Sequence, residues 1–588
     1  MYLFDSLHMA SNALSASQLG LQIAGQNLNN ADTPGYVRES LILTTGDARK
    51  TGNSINLGTG VQVSGIVQVI DQFLEERLRN ATSDAVSSSA MEKYYTQLEA
   101  LLRETTSNDL STSISSFFNA IDNILNHPEN ETYRKMAVEE GVKLADTINR
   151  LAGKVVEMQL DVNRQINSSA EEINRLLKEI EDLNTNITLL ETKQGKQAVG
   201  LRDQRLNALS ELSKIINIKT TEDAKTGQVT VYCGSDILLT SGFRNEIKIG
   251  VQGSGQASAG NEVPMAQLCI GKEMSPLDVR SGSVYGLYQA HQTILGGYQS
   301  KLDTFAEELI TEFNRIYTSG QGLTGYDQLT SLARTDDADV PISEALKAEG
   351  VDSLLNNGGF ILQVVNTKTG VATDHYIEVR VNEPVINDPF SLKATPQTGG
   401  TTFQDLADAI NKIEGMTAAV NAHGELEIKT DNGNIAFAFA QDTSGVLAAL
   451  GINSFFTGTK AGSIGINPAV ISDPGKFAAS QGGVGADTET GVRLAALGIT
   501  PNVALGGASL IGRYDGIVSE TQLAAATTKA AASANVLYQE SLQAQRDAIS
   551  GVNIDEETVM MMTYQRMFQA NSRLVTIIDQ MMATLIAM

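Results

Sequence analysis

A chain of 588 residues with 42% hydrophobic and 19% charged side chains is too apolar for a disordered polymer. At roughly 150 residues per domain it is long enough for about three to five domains. Its 68 acidic and 43 basic residues leave a formal charge of −25, which repels phosphate backbones and anionic lipid and makes nucleic acid a poor partner.

No Lys or Arg precedes Arg38, so the N-terminus lacks the basic region of a secretory signal peptide, and a cytosolic address is the default. From Leu3 the apolar positions step alternately by four and three through Leu7, Ala10, Leu14, Ser17, Leu21, Ala24 and Leu28 to Ala31, a heptad seam. It ends in "NLNNADTPGYVR", where the asparagines tolerate turn conformations and satisfy orphan backbone groups. Pro34 stops the helix, and Gly35 allows a reversal that places Tyr36 against a neighbour.

Further helices are expected at 66–103 and 110–125. After "NHPEN" comes the longest seam, from Leu144 to Leu190 with one slip between Val162 and Ile166, a rod on the order of 90 Å. Helices at 201–214 and 285–317 follow.

Two stretches interrupt the helices. Residues 217–280 carry short β-type runs such as "QVTVYC" and "AQLCIG" between Gly, Ser and Asn turns. Residues 336–458 read as α+β: strands "FILQVV" and "HYIEVRV", a helix with Thr402 and Asp405 placed to cap it, and "ELEIKT" and "IAFAFA" as a hairpin about Asn432-Gly433. Loop-like sequence follows, then an Ala-rich helix from about residue 517. Asn553, with Glu556 three residues on, starts a last helix whose seam is Met561, Tyr564, Phe568, Asn571, Val575, Ile578, Met582 and Leu585. Its end is apolar but contains Asp579 and falls short of the roughly 18 residues of a membrane span, so no membrane insertion is expected.

The matched seams at the two ends favour pairing with each other or with copies of the chain. The expected architecture is therefore multidomain α+β with discontinuous domains. Residues 1–50 and 545–588 form the terminal coiled coil, and 51–216, 281–335 and 459–544 a helix-rich domain. Residues 217–280 make a small β insertion and 336–458 an outer α+β insertion.

Chemistry finds little support. "GQGLTG" fits GxGxxG but follows a helix, so it reads as a helix stop. The five histidines are scattered, and Asp336, Asp337 and Asp339 read as a solvated loop, so no metal, cofactor or catalytic residue is assigned. Cys233 and Cys269 are too few for a disulfide framework, and whether they pair is open.

The motif at the end of the first seam resembles the signature of the bacterial flagellar axial proteins, the rod, hook and hook-associated proteins. Asn27, Leu28, Asn30, Thr33, Pro34, Gly35, Tyr36 and Arg38 carry the likeness, while Asn29 sits where Ala or Ser is commoner. The C-terminal "SGVNIDEETVMMMTYQRMFQANSRL" resembles the partner signature, and "LRDQRLNALSELS" with the long coil before it resembles the hook-associated, junction branch.

That resemblance implies a structural subunit at the hook–filament junction, exported unfolded and extracellular. Its implied partners are other copies, the hook protein, the next hook-associated junction protein, and an export chaperone on the C-terminal helix. The self-assembly residues are then Leu3, Leu7, Leu14, Leu21, Leu28, Met561, Phe568, Val575, Ile578, Met582 and Leu585. The rivals are a hook or distal-rod subunit, or an adhesin or enzyme displayed on a flagellar scaffold.

Overall fold

The structure, a computed structural model, describes residues 2–33, 35–46, 49–51, 55–57, 60–102, 109–194, 197–252, 263–347, 355–381, 392–393, 400–481 and 487–587. The chain is multidomain α+β and packs as two compact units, each drawn from separated segments. The first holds Met1–Tyr95, Gln159–Ile294 and Ala525–Met588, and the second Thr96–Met158 and Leu295–Ala524. The 217–280 segment lies within the first unit and 336–458 within the second.

In the first unit the N-terminal helix Tyr2–Asn29 leads into an antiparallel strand pair, Glu39–Thr45 with Val61–Gln68, bulged between Ile42 and Leu43. The helix expected over 66–103 starts later, at Gln72, because "VQVSGIVQ" pairs as a strand up to Gln68. Asp71 then caps the new helix, accepting from the Phe73 and Leu74 amides.

The long helix runs Glu131–Gln194, and its seam is buried at Leu144, Ile148, Leu151, Val155, Val162, Ile166, Ile173, Leu176, Ile180, Leu183 and Ile187, while Leu190 is exposed. Two small sheets form the β insertion. One has strand order Lys219–Glu222, Val229–Cys233, Asp236–Thr240, Phe243–Arg244; the other pairs Met265–Ile270 with Ile247–Gln252 and Ser275–Pro276.

Three asparagines of the long helix tie these strands down. Asn163 accepts from the Ala266 amide (2.8 Å) and donates to the Pro264 carbonyl (2.9 Å). Asn174 serves both backbone groups of Ile247, and Asn184 both of Val229. A carboxamide presents a donor and an acceptor side by side, so it replaces one residue of a missing strand. Cys233 and Cys269 are both buried and free.

The second unit is centred on packed rings. Phe117, Phe313, Phe455 and Phe456 meet with centroids 4.9 to 5.7 Å apart. Buried Arg134 donates to the carbonyls of Pro128 and Phe477.

The α+β portion has a sheet ordered Leu392–Lys393, Ala372–Val379, Gly358–Asn366, Ile435–Ala440, and another ordered Gln328–Arg334, Glu425–Thr430, Met416–Val420. Helix Phe403–Ile410 carries the expected capping box between Thr402 and Asp405. The expected hairpin about Asn432-Gly433 is a correction: the chain reverses there, but its two arms join different sheets. "IAFAFA" is buried over its last four residues and pairs with Gly358–Asn366, whereas "ELEIKT" alternates and lines the smaller sheet. A tight turn fixes a reversal; the burial pattern decides the ladder.

Candidate assembly site at the paired ends

The N-terminal helix and the C-terminal helix Ile554–Ala587 pack along each other. Small residues let them approach: Ala10, Ala16, Ser17, Gly20 and Ala24 are buried, with Ile23 beside them. A methyl group on Gly20 would lie 2.5 Å from the Tyr564 ring. Gly20→Val is therefore expected to separate the helices at a cost of about 2 kcal/mol, read as lost amide-exchange protection over residues 4–30 with the β insertion unchanged.

Of the expected seam residues, Leu7, Leu14, Leu21, Leu28, Met561, Phe568, Val575 and Met582 are partly buried, and Ile578 is buried. Leu585 is 59% exposed. The Leu3 side chain and Pro34 lie outside the described residues.

The asparagine motif is a clamp within the chain. Buried Asn27 donates to the Glu39 carbonyl (2.9 Å) and accepts from the Glu39 amide (3.0 Å), holding the start of the first strand as the long-helix asparagines hold theirs. The Tyr36 hydroxyl donates to the same Asn27 oxygen at 2.8 Å, so Tyr36 is engaged inside its own chain. Asn30 donates to the Gln26 carbonyl and accepts from Thr33 Oγ1. Gly35 has φ of +78° and faces the Asn207 side chain, leaving no room for a Cβ.

Arg38 then crosses to the other end of the chain. Its amide donates to the Ser550 carbonyl (2.9 Å), and its guanidinium pairs with Glu557 (2.7 Å) and Glu556 (3.2 Å). Asn553 caps the C-terminal helix by accepting from the Asp555 amide (3.0 Å), while the Glu556 carboxylate serves Arg38.

Beneath the clamp lies an acidic node. Burial pushes the Asp203 carboxyl up to about 6; neighbouring Glu39 adds to the rise, while the bond from Gln68 and the charge of Arg546 oppose it. Burial also raises the Glu39 carboxyl, and it raises the Tyr36 phenol with help from Glu39, Asp203 and Glu557.

Sequence reading passed over a second stripe on the C-terminal helix. Met560, Thr563, Met567, Ala570, Leu574, Ile577, Met581 and Thr584 alternate three and four, one residue ahead of the first seam and hence about 100° round the helix. It contains no charge, and Met560, Met567, Leu574, Ile577 and Met581 are 40–52% exposed. The repeat was present in sequence, hidden behind the stronger pattern one residue on. Among the described residues no group of three His, Cys, Asp or Glu could hold a metal ion, Asp336, Asp337 and Asp339 included, and no helix is long and apolar enough to cross a membrane.

The ends close on one another within one chain and leave an uncharged heptad stripe in solvent, the architecture of a structural protein and not of a catalytic pocket. Comparison with known proteins narrows the class. The family model for the FlgK flagellar hook-associated protein helical domain matches residues 95–330, and that for the flagellar basal body rod FlgEFG protein C-terminal matches 543–588. Flagellar hook-associated protein 1 of Salmonella typhimurium is 24% identical over 583 residues, 96% of each chain. Its Bacillus subtilis counterpart is 25% identical over 401 residues, 63% of this chain and 78% of that one. A solved structure, the flagellar hook junction protein FlgK from Burkholderia pseudomallei, aligns over 81% of this chain and 100% of that chain with 14% identity and a TM-score of 0.47. Over nearly its whole length the chain is similar to flagellar hook-associated protein 1, and its residues 95–330 match the helical-domain model of that family.

Proposed function

We propose that this protein is a structural subunit of the bacterial flagellum that sits where hook meets filament, and that the exposed stripe from Met560 to Thr584 is where one copy meets the next. The stripe carries the reading: the first seam is spent on the N-terminal helix of the same chain, so contact between copies needs another apolar face. Burying the exposed parts of its five large side chains contributes roughly 5 kcal/mol per copy before ordering costs. The partners are then further copies, the hook protein and the next hook-associated junction protein. An export chaperone would cover the C-terminal helix before assembly, and the protein would act outside the cell after export. The likeness covers nearly the whole length of the Salmonella protein, which favours the junction over a hook or distal-rod subunit.

Two substitutions separate the faces. Leu574→Glu should leave the melting of the isolated chain within about 0.5 kcal/mol of wild type and abolish incorporation into flagella. Phe568→Asp should damage both, because it also faces the N-terminal helix. Motile cells with normal junctions carrying Leu574→Glu would remove the stripe from the assembly mechanism. Immunogold labelling with antibody to 336–458 should give a narrow band between hook and filament; label along the whole hook would make the protein a hook subunit.

A further inference from the structure

Between the first turns of helix Gln72–Leu102, helix Val199–Ile215 and strand Lys219–Glu222, all in the first unit, lies a cavity of about 220 Å³. Its apolar wall includes Leu206, Leu209 and Val229, and its polar wall is made of arginines and glutamates. Most of these charges are committed. Arg202 is held by Glu191 (2.6 Å) and Glu222 (2.6 Å), and Arg205 by Glu222, the Asn184 amide oxygen and the Gly227 carbonyl. Glu75 is bound by Arg546 at 3.0 Å.

Arg79 and Glu76 are different. Among the described residues the Arg79 guanidinium has one hydrogen-bond partner, Thr220 Oγ1 at 3.3 Å, although burial lowers its pKa. The Glu76 carboxylate, three residues earlier on the same helix and lining the same cavity, makes no hydrogen bond and no ion pair within 4 Å among them, and with Glu75 it acts on Arg79 only through its charge. The arginines and glutamates lining the cavity balance, Arg79, Arg202 and Arg205 against Glu75, Glu76 and Glu222, so a ligand with no net charge fits better than a bare anion.

We infer that this cavity is a binding site for a small zwitterion of the α-amino-acid class, its carboxylate forked on Arg79 and its ammonium on Glu76. The planar guanidinium offers paired donors that match a carboxylate. Neighbours three apart on a helix stand about 5–6 Å apart at Cβ, which suits a ligand with adjacent opposite charges. The apolar wall leaves room for a short side chain.

Calorimetric titration of the full chain with L-alanine, and separately with acetate, tests the assignment. Saturable L-alanine binding is expected, weakened about tenfold or more by Arg79→Met and less by Arg79→Lys. Glu76→Gln should bring L-alanine down to the level of acetate. Melting of each unliganded variant controls for folding, and Glu76→Gln keeps the test open if Arg79→Met unfolds. No saturable binding of L-alanine, acetate binding as tight as L-alanine in the wild type, or L-alanine binding unchanged in a folded Arg79→Met would each overturn the proposal.

Discussion

Replacing Asn27 with leucine is expected to lower the stability of the first unit by about 3–5 kcal/mol, the largest effect of any single change at the paired ends. The shape of the side chain is nearly kept. What is lost is the donor to the Glu39 carbonyl and the acceptor shared by the Glu39 amide and the Tyr36 hydroxyl. Both Glu39 backbone groups would then face a buried hydrocarbon, each at about 1–3 kcal/mol. Asn27→Asp keeps both acceptor contacts but buries an acid beside Glu39 and Asp203, so its cost should fall as pH drops and the acid takes up a proton that it can donate to the Glu39 carbonyl. Urea unfolding followed through the first unit should place wild type above both variants; a leucine variant as stable as wild type would show that the clamp contributes nothing.

Asp203→Asn is expected to stabilise the protein at pH 7.5 and to do nothing at pH 4. The folded carboxyl has a pKa of about 6 against an ordinary 3.8, so the folded state holds this proton more tightly than the unfolded one. A raised acid of this kind gives stability that is present below the unfolded pKa and is lost as pH climbs through about 6. Above that value the charged carboxylate is largely cut off from water and repelled by Glu39, with the charge of Arg546 and the bond from Gln68 offsetting only part of that cost. An asparagine oxygen still accepts from Gln68 and carries no charge. The gain should be about 1 kcal/mol at pH 7.5, less than so large a displacement implies because solvent still screens the group. Paired melts of wild type and variant from pH 4 to 8 should diverge between about 4 and 6; parallel curves would show Asp203 to be unperturbed.

Most of the helical frame was legible because its signal is long. Residues Leu144 to Ile187 keep their seam over many turns, and nearly every member is buried. The Thr402–Asp405 box was legible for the opposite reason, being entirely local. What escaped were features set by distant partners. "IAFAFA" and "ELEIKT" flank a strong turn, yet each found a better-matched strand elsewhere. The last residues of strand Val61–Gln68, from Ile66, were absorbed into a helix because the strand's partner lies some twenty residues earlier and offers no periodic cue.

At the ends, the motif from Asn27 to Arg38 was visible as a motif, but its chemistry was not. Nothing local says that Arg38 will meet Glu557 or that Asn27 will hold the backbone of Glu39. The same use of asparagine at 163, 174 and 184 is equally silent in sequence, since a polar residue on a helix reads as solvent-facing until a strand is laid beside it.

The clamp at Asn27 also bears on how load would pass from the terminal helices into the strand pair. The turn between the N-terminal helix and its strand would ordinarily be a compliant element that winds up before it transmits anything. With the Asn27 amide fixed to both backbone groups of Glu39, and Arg38 riveted to Glu557 and to the Ser550 carbonyl, that slack is bypassed. A twist applied to the terminal helices reaches the strand pair directly, through short polar linkages instead of through the loop.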